Sequence, residues 1–142
     1  MKNIVIVSGG FDPIHSGHIS LIEDAAQYGE VIVLLNSNMW LIRKKGKFFL
    51  PIEERAIIMR ALKNVADVII FDDNDNTCID GIKKIIQKYP SCIYKFANGG
   101  DRTIDKTPEK DFCKKNSIET LWGIGGNFKK NSSSEILKRW KN

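Results

Sequence analysis

Apolar residues fall into short β-branched runs, separated by segments in which they recur at helical spacing. The first run, residues 3–8 (NIVIVS), ends in Gly9-Gly10 and predicts a strand. Ile19, Leu21, Ile22, Ala25 and Ala26 then recur at helical spacing, and Gly29 is a natural stop. Residues 31–35 read as a second strand, and a long loop is expected over residues 36–50. Pro51 suits the first helical position, with Glu53 and Glu54 in the turn favoured by the helix dipole, so a helix should run to about Leu62. A third strand over 67–71 precedes a helix over 78–88 that has Ile79, Ile82, Ile85 and Ile86 on one side. Residues 92–97 predict a fourth strand leading into Asn98-Gly99-Gly100-Asp101. Thr107-Pro108 opens a short helix through Lys114, and 118–122 is a fifth strand. A glycine-rich, basic loop follows over 123–131, after which Ser132 and Glu135 form a capping-box pair ahead of Ile136, Leu137 and Trp140.

Five strand–helix alternations without a hairpin signal predict an α/β fold. The expected architecture is a single-domain, Rossmann-like, doubly wound parallel sheet of about five strands with flanking helices, spanning residues 1–142. Such sheets bind ligands beyond the carboxyl ends of their strands. The segments to inspect are therefore 9–17, 36–50, 98–106 and 123–131.

Composition narrows the class without naming a function. The 142 residues suffice for one core, are 42% hydrophobic and 27% charged, and resemble an ordinary soluble protein. Runs such as 31–35 and 68–71 are strand-length, far short of a membrane span. Met1-Lys2-Asn3 leads straight into the first strand with no signal-peptide pattern. Three cysteines, Cys78, Cys92 and Cys113, are odd in number and lack CxxC spacing, so reduced thiols and a cytoplasmic location are expected. The net charge of +5 suits an anionic partner. It also allows nucleic acid, but no aromatic-rich strand or basic recognition helix supports that partner.

Both histidines lie in Gly9-Gly10-Phe11-Asp12-Pro13-Ile14-His15-Ser16-Gly17-His18, at a strand-to-helix junction. Glycines let backbone N–H groups approach a phosphate, and a helix N-terminus adds free donors and a dipole. Gly17 would let a nucleotide lie close to the backbone. Two imidazoles aimed at one phosphate can donate to charge that grows during displacement. Two structural histidines at a turn, or a metal pair without an evident third ligand, are the alternatives. In Arg43-Lys44-Lys45-Gly46-Lys47 a solvated face competes with an anion site. Arg55 is either an exposed helix residue or a fork for two phosphate oxygens. Ser132 alone would satisfy a helix cap, so Ser133 and Ser134 leave extra hydroxyls at a dipole-positive end, which is a phosphate seat.

Gly10-Phe11-Asp12-Pro13-Ile14-His15-Ser16-Gly17-His18 resembles the HxGH signature of the cytidylyltransferase-like nucleotidyltransferases. The resemblance continues through Asn36-Ser37, Lys45-Gly46, Pro51-Ile52-Glu53-Glu54-Arg55 and Asn131-Ser132-Ser133-Ser134-Glu135-Ile136, in order along nearly the whole chain. It looks most like the branch holding glycerol-3-phosphate cytidylyltransferase and the heptose-1-phosphate adenylyltransferase domain. It implies transfer of CMP or AMP from CTP or ATP to a phosphorylated sugar or polyol, with release of pyrophosphate. His15 and His18 would stabilise the α-phosphate transition state, with Lys45 a point charge on the phosphates. Gly9, Gly10, Phe11, Asp12 and Gly17 would line the nucleotide. Ser132, Ser133 and Ser134 would contact its β- and γ-phosphates, and Asp101 its ribose or base. Arg55 would hold the acceptor's phosphate. Relatives are often homodimers. Many have an arginine where Asn127 stands, with Lys129 and Lys130 shortly after it here.

A phosphate monoester acceptor has a second pKa near ~6, so its attacking oxygen is ionised at neutral pH and no general base is required. Mg²⁺ would enter with the triphosphate, without a metal site of the protein's own. A non-catalytic nucleotide sensor would keep the same loops. A dinucleotide-dependent oxidoreductase fits poorly, because Gly123-Ile124-Gly125-Gly126 lacks GxGxxG spacing and precedes the last helix.

Overall fold

The computed structural model describes residues 1–99, 107–125 and 132–141. Its sheet begins with β1 (Asn3–Gly9), an apolar run whose four middle residues are buried on both faces, as a central parallel strand requires. Strands β2 (Glu30–Leu35), β3 (Val65–Ile70), β4 (Ile93–Gly99) and β5 (Glu119–Ile124) complete one sheet in the order β3-β2-β1-β4-β5. Every neighbouring pair is parallel. The expected α/β class is therefore the observed one.

Side chains alternate across the sheet with period two, which divides the core. Val5, Val7, Val31, Val33 and Leu35 face α1 (Ser16–Ala25) and α3 (Ile52–Ala61), meeting Ile22, Ala25, Ala56 and Met59. Ile4, Ile6, Ile32 and Leu34 face α4 (Ile79–Lys88) and α5 (Thr107–Lys115), meeting Ile82, Ile85 and Cys113. The chain ends in α6 (Ser133–Lys141). Among the described residues no helix is long and apolar enough to cross a membrane.

One element departs from expectation. The segment expected to be a loop over 36–50 contains α2 (Asn38–Lys45). Ser37 caps it by accepting the Trp40 N–H at 3.0 Å, and Gly46 ends it at φ 90°, where its N–H reaches the Ile42 carbonyl at 2.8 Å. Arg43, Lys44 and Lys45 fill the last turn, where the dipole favours cations. Only Leu41 is buried, so the helix has cap signals but no apolar periodicity to reveal it. Smaller shifts also occur: Pro51 is the N-cap of α3 rather than its first residue, and β3 starts at Val65 rather than residue 67.

The strand order reverses between β1 and β4, which defines the crevice where doubly wound sheets hold ligands. The segment leaving β1 at this crevice is the one that carries both histidines.

Cys78 and Cys113 are buried and Cys92 is partly exposed, all as free thiols. Burial, with the Glu109 charge beside it, pushes the Cys113 thiol up to about 11. At pH 8 an aromatic disulfide reagent should therefore titrate Cys92 quickly, and the other two thiols only as denaturant opens the core. Three fast thiols in the folded protein would contradict this packing.

Candidate active site

The two histidines cap the helix that carries them. His15 is the extended N-cap of α1, and its Nδ1 accepts the Gly17 N–H at 3.0 Å. In return the His15 N–H donates to Nδ1 of His18 at 3.1 Å. Two imidazoles thus play the parts usually taken by a hydroxyl and a carboxylate in a capping box. A nitrogen that accepts a backbone N–H carries a lone pair, so the neutral tautomer of each ring has its proton on Nε2. The rings stack with centroids 3.8 Å apart and planes 29° from parallel. Phe11 packs edge-on against His18 at 4.8 Å. Its ring also covers Gly9, where a Cβ would sit 3.2 Å from it. Phe11 has φ 51°, a left-handed conformation unusual for a bulky side chain, and it follows Gly10 immediately.

Arg55, expected to hold an acceptor phosphate, faces inward instead. It is 1% exposed. Its Nε donates to the Leu50 carbonyl at 2.9 Å. One terminal nitrogen reaches the Gly10 and Asn36 carbonyls at 3.0 and 2.7 Å, and the other reaches Asn38 Oδ1 at 2.8 Å. Four of its five N–H donors are thus spent on the protein. Burial pushes the guanidinium below its ordinary value, and the charges of Asp12, Glu53 and Asp73 oppose that shift. A helical position in the sequence does not say which face is buried, and α3 buries the face of Arg55, Ala56 and Met59.

Asp12 is likewise occupied within the fold. At 2% exposure, its carboxylate accepts the N–H groups of Phe49 and Leu50 at 2.6 and 2.7 Å. It ties the segment after α2 to the histidine loop. Gly10 fits closely beneath α2, because a Cβ there would meet Leu41 at 2.8 Å. Lys45 is exposed at the end of that helix.

The serine motif comes to the same loop from about 120 residues away. The Ser133 hydroxyl donates to the Pro13 carbonyl at 2.6 Å, so the N-terminus of α6 lies beside that of α1. Ser132 accepts the Glu135 N–H at 3.1 Å, as the capping pair predicts, and Ser134 is exposed. At the far end of α6, Lys141 meets Lys47, whose ammonium lowers it from the ordinary lysine value. Asp101, Asn127, Lys129 and Lys130 lie outside the described residues.

Sequence reasoning passed over Asn38 and Asp73. Asn38 Oδ1 accepts both Arg55 and the Ile52 N–H, the latter at 2.9 Å, so it caps α3 from the start of α2. Asp73 follows the third strand, and its position at a carboxyl strand end was the available signal.

The fold and site together define an α/β protein in which two helix N-termini and a pair of imidazole donors converge beside a basic helix end. Residues 6–138 match the family model described as cytidylyltransferase-like. The chain belongs to this family of nucleotidyltransferases. The bifunctional protein HldE of Geobacter metallireducens is 33% identical over 145 residues, an alignment covering 98% of this chain and 28% of that protein. The FAD synthase of Archaeoglobus profundus is 30% identical over 116 residues, covering 82% of this chain and 70% of that one. The lipopolysaccharide core biosynthesis protein from Thermoplasma volcanium shares the fold with a TM-score of 0.65 at 22% identity, over 87% of this chain and 95% of its own.

Replacing Arg55 with alanine would orphan three buried carbonyls and remove a charge that Asp12 and Asp73 face. Stability should fall by about 3 kcal/mol or more in chemical denaturation, with Arg55→Lys intermediate because an ammonium cannot reproduce the fork. A loss confined to acceptor KM, with stability unchanged, would return Arg55 to the substrate.

Proposed function

We propose that the chain transfers CMP or AMP from CTP or ATP to a phosphorylated sugar or polyol and releases pyrophosphate. The observation that carries this reading is the reciprocal histidine cap, which stacks two imidazoles at the N-terminus of α1 with each Nδ1 accepting a backbone N–H, so that each neutral ring carries its proton on Nε2. An ionised oxygen of the acceptor's phosphate attacks the α-phosphorus, and the bond from that phosphorus to the bridging oxygen of the β-phosphate breaks. The electron pair leaves on pyrophosphate. No proton has to be removed from the nucleophile, which matches a site built from donors.

Charge grows on the non-bridging and leaving oxygens as the α-phosphate is displaced, and His15 and His18 stabilise it with preorganised donors. The N-termini of α1 and α6 add their dipoles, and Lys45 adds a point charge. Ser133 supports the phosphates indirectly by anchoring α6 on Pro13. Ser132 holds the first turn of the same helix. Among the described residues no group of three or more His, Cys, Asp or Glu is placed to hold a metal ion. Mg²⁺ would enter on the triphosphate's own oxygens, where it would offset their charge.

The test is pyrophosphate release with each nucleoside triphosphate against a panel of sugar and polyol phosphates. Release that depends on both substrates supports the reading, whereas triphosphate binding without release points to a nucleotide sensor. Within the enzyme, His18→Ala should lower kcat by about 10²–10³ and change triphosphate KM little, because its contact strengthens in the transition state. Near-normal kcat in a folded variant would remove His18 from the chemistry.

A further inference from the structure

We propose that Asp73 is a positioning residue for triphosphate binding: it fixes α2 above the Gly10 loop so that Lys45 meets the phosphates. The proposal rests on the nucleotidyl-transfer reading for the role of Lys45, and on the following geometry for that of Asp73.

Apolar packing alone does not set the pose of α2. Its one buried side chain, Leu41, rests on Gly10. Half-buried Trp40 reaches the same glycine, so these two apolar contacts fall on one spot and do not by themselves fix the basic end of the helix. Polar ties add to this: Asn38 links the first turn of α2 to Arg55 and the Ile52 N–H, and a second set converges on one buried carboxylate. Asp73, 2% exposed, accepts Asn36 Nδ2 at 3.1 Å and the Ser37 N–H at 2.8 Å on Oδ2. On Oδ1 it accepts the Ser37 hydroxyl at 2.6 Å. Ser37 is the N-cap of α2, so the carboxylate holds both the entry of the helix and the group that caps it.

The other end of α2 is tied to the same segment. Arg43 donates to the Asp73 carbonyl at 2.7 Å and to Asn76 Oδ1 at 3.1 Å, and its guanidinium stands 3.7 Å from the Asp73 carboxylate. Two anchors six positions apart in sequence, Ser37 and Arg43, hold both ends of the helix against rotation and translation. Lys45 is two residues beyond Arg43, on the constrained turn. Asp73 thus lies in the third-strand loop but acts on the lysine through a helix it does not belong to.

An asparagine at position 73 would keep the shape and lose the function of the anchor. Its NH₂ placed at Oδ1 would force the Ser37 hydroxyl to turn from donor to acceptor, at Oδ2 it would confront both the Ser37 N–H and the Asn36 amide, and either way the charge facing Arg43 is lost. Equilibrium binding of CTP and ATP, with CMP and AMP as controls, reads the effect without requiring turnover. Asp73→Asn should weaken binding of the preferred triphosphate about tenfold and leave the matching monophosphate within about twofold. In a Lys45→Gln background the same substitution should cost less than about twofold, because the lysine it positions is gone. Ser37→Ala removes one tie and should produce a smaller loss in the same direction, which provides the test if Asp73→Asn does not fold.

Equal losses for triphosphate and monophosphate would reduce Asp73 to a residue of the fold and overturn the proposal. So would an undiminished effect in the Lys45→Gln background, or a wild-type protein that binds triphosphate no better than monophosphate. Wild-type protein that binds triphosphate but releases no pyrophosphate would defeat the nucleotidyl-transfer reading while the binding cycle still decided the role of Asp73.

Discussion

The Arg55 guanidinium is a buried cation surrounded by oxygens from four places in the chain. Gly10 follows β1, Asn36 follows β2, Asn38 opens α2, and Leu50 leads into α3. Burying such an ion costs several kcal/mol unless its donors are satisfied and its charge is met. Here carbonyl dipoles satisfy the donors, and the nearby carboxylates of Asp12, Glu53 and Asp73 oppose the burial. The planar fork also has directional demands that an ammonium would not impose. The loop after β1, the end of β2 and the approach to α3 are therefore held in one mutual geometry. Each of the polar features around the histidines is staged on those segments.

Carboxylates extend the same principle outward. Asp12 closes the contact between the histidine loop and residues 49–50, and Asp73 closes the one between the end of β2 and the loop after β3. Both are buried, and both accept backbone N–H groups that the turns would otherwise leave without partners. Apolar packing serves the sheet faces well, but the crevice edge of a phosphate site must remain polar. Side chains that bridge loops through hydrogen bonds give that edge rigidity while leaving cations and N–H groups toward the ligand.

Helix ends supply the field. The N-termini of α1 and α6 lie side by side because Ser133 donates to Pro13, and α2, whose last turn is basic, rests over Gly10 through Leu41. In the proposed reading an anion in this crevice would meet two positive dipole ends and the lysine that ends α2. Such preorganised charge is the largest single source of rate in many transfer reactions.

The α/β class was legible in the sequence because a buried parallel strand must be a continuous apolar run, and five such runs alternate with helical patterns. That the histidine loop and the serine motif open helices was legible, because glycines, imidazoles and hydroxyls at helix starts meet local N–H groups. Facts that depend on facing direction were not legible. Arg55 reads as a fork for a ligand, yet α3 buries that face, and its fork closes on the protein. Asp12 reads as part of a phosphate cradle, yet its oxygens close on residues 49 and 50. Helix α2 was hidden because one buried leucine makes no period. A sequence shows which groups are available along one dimension. Which of them spend their hydrogen bonds on each other is decided only when distant segments meet, since a donor satisfied inside the fold no longer faces a ligand.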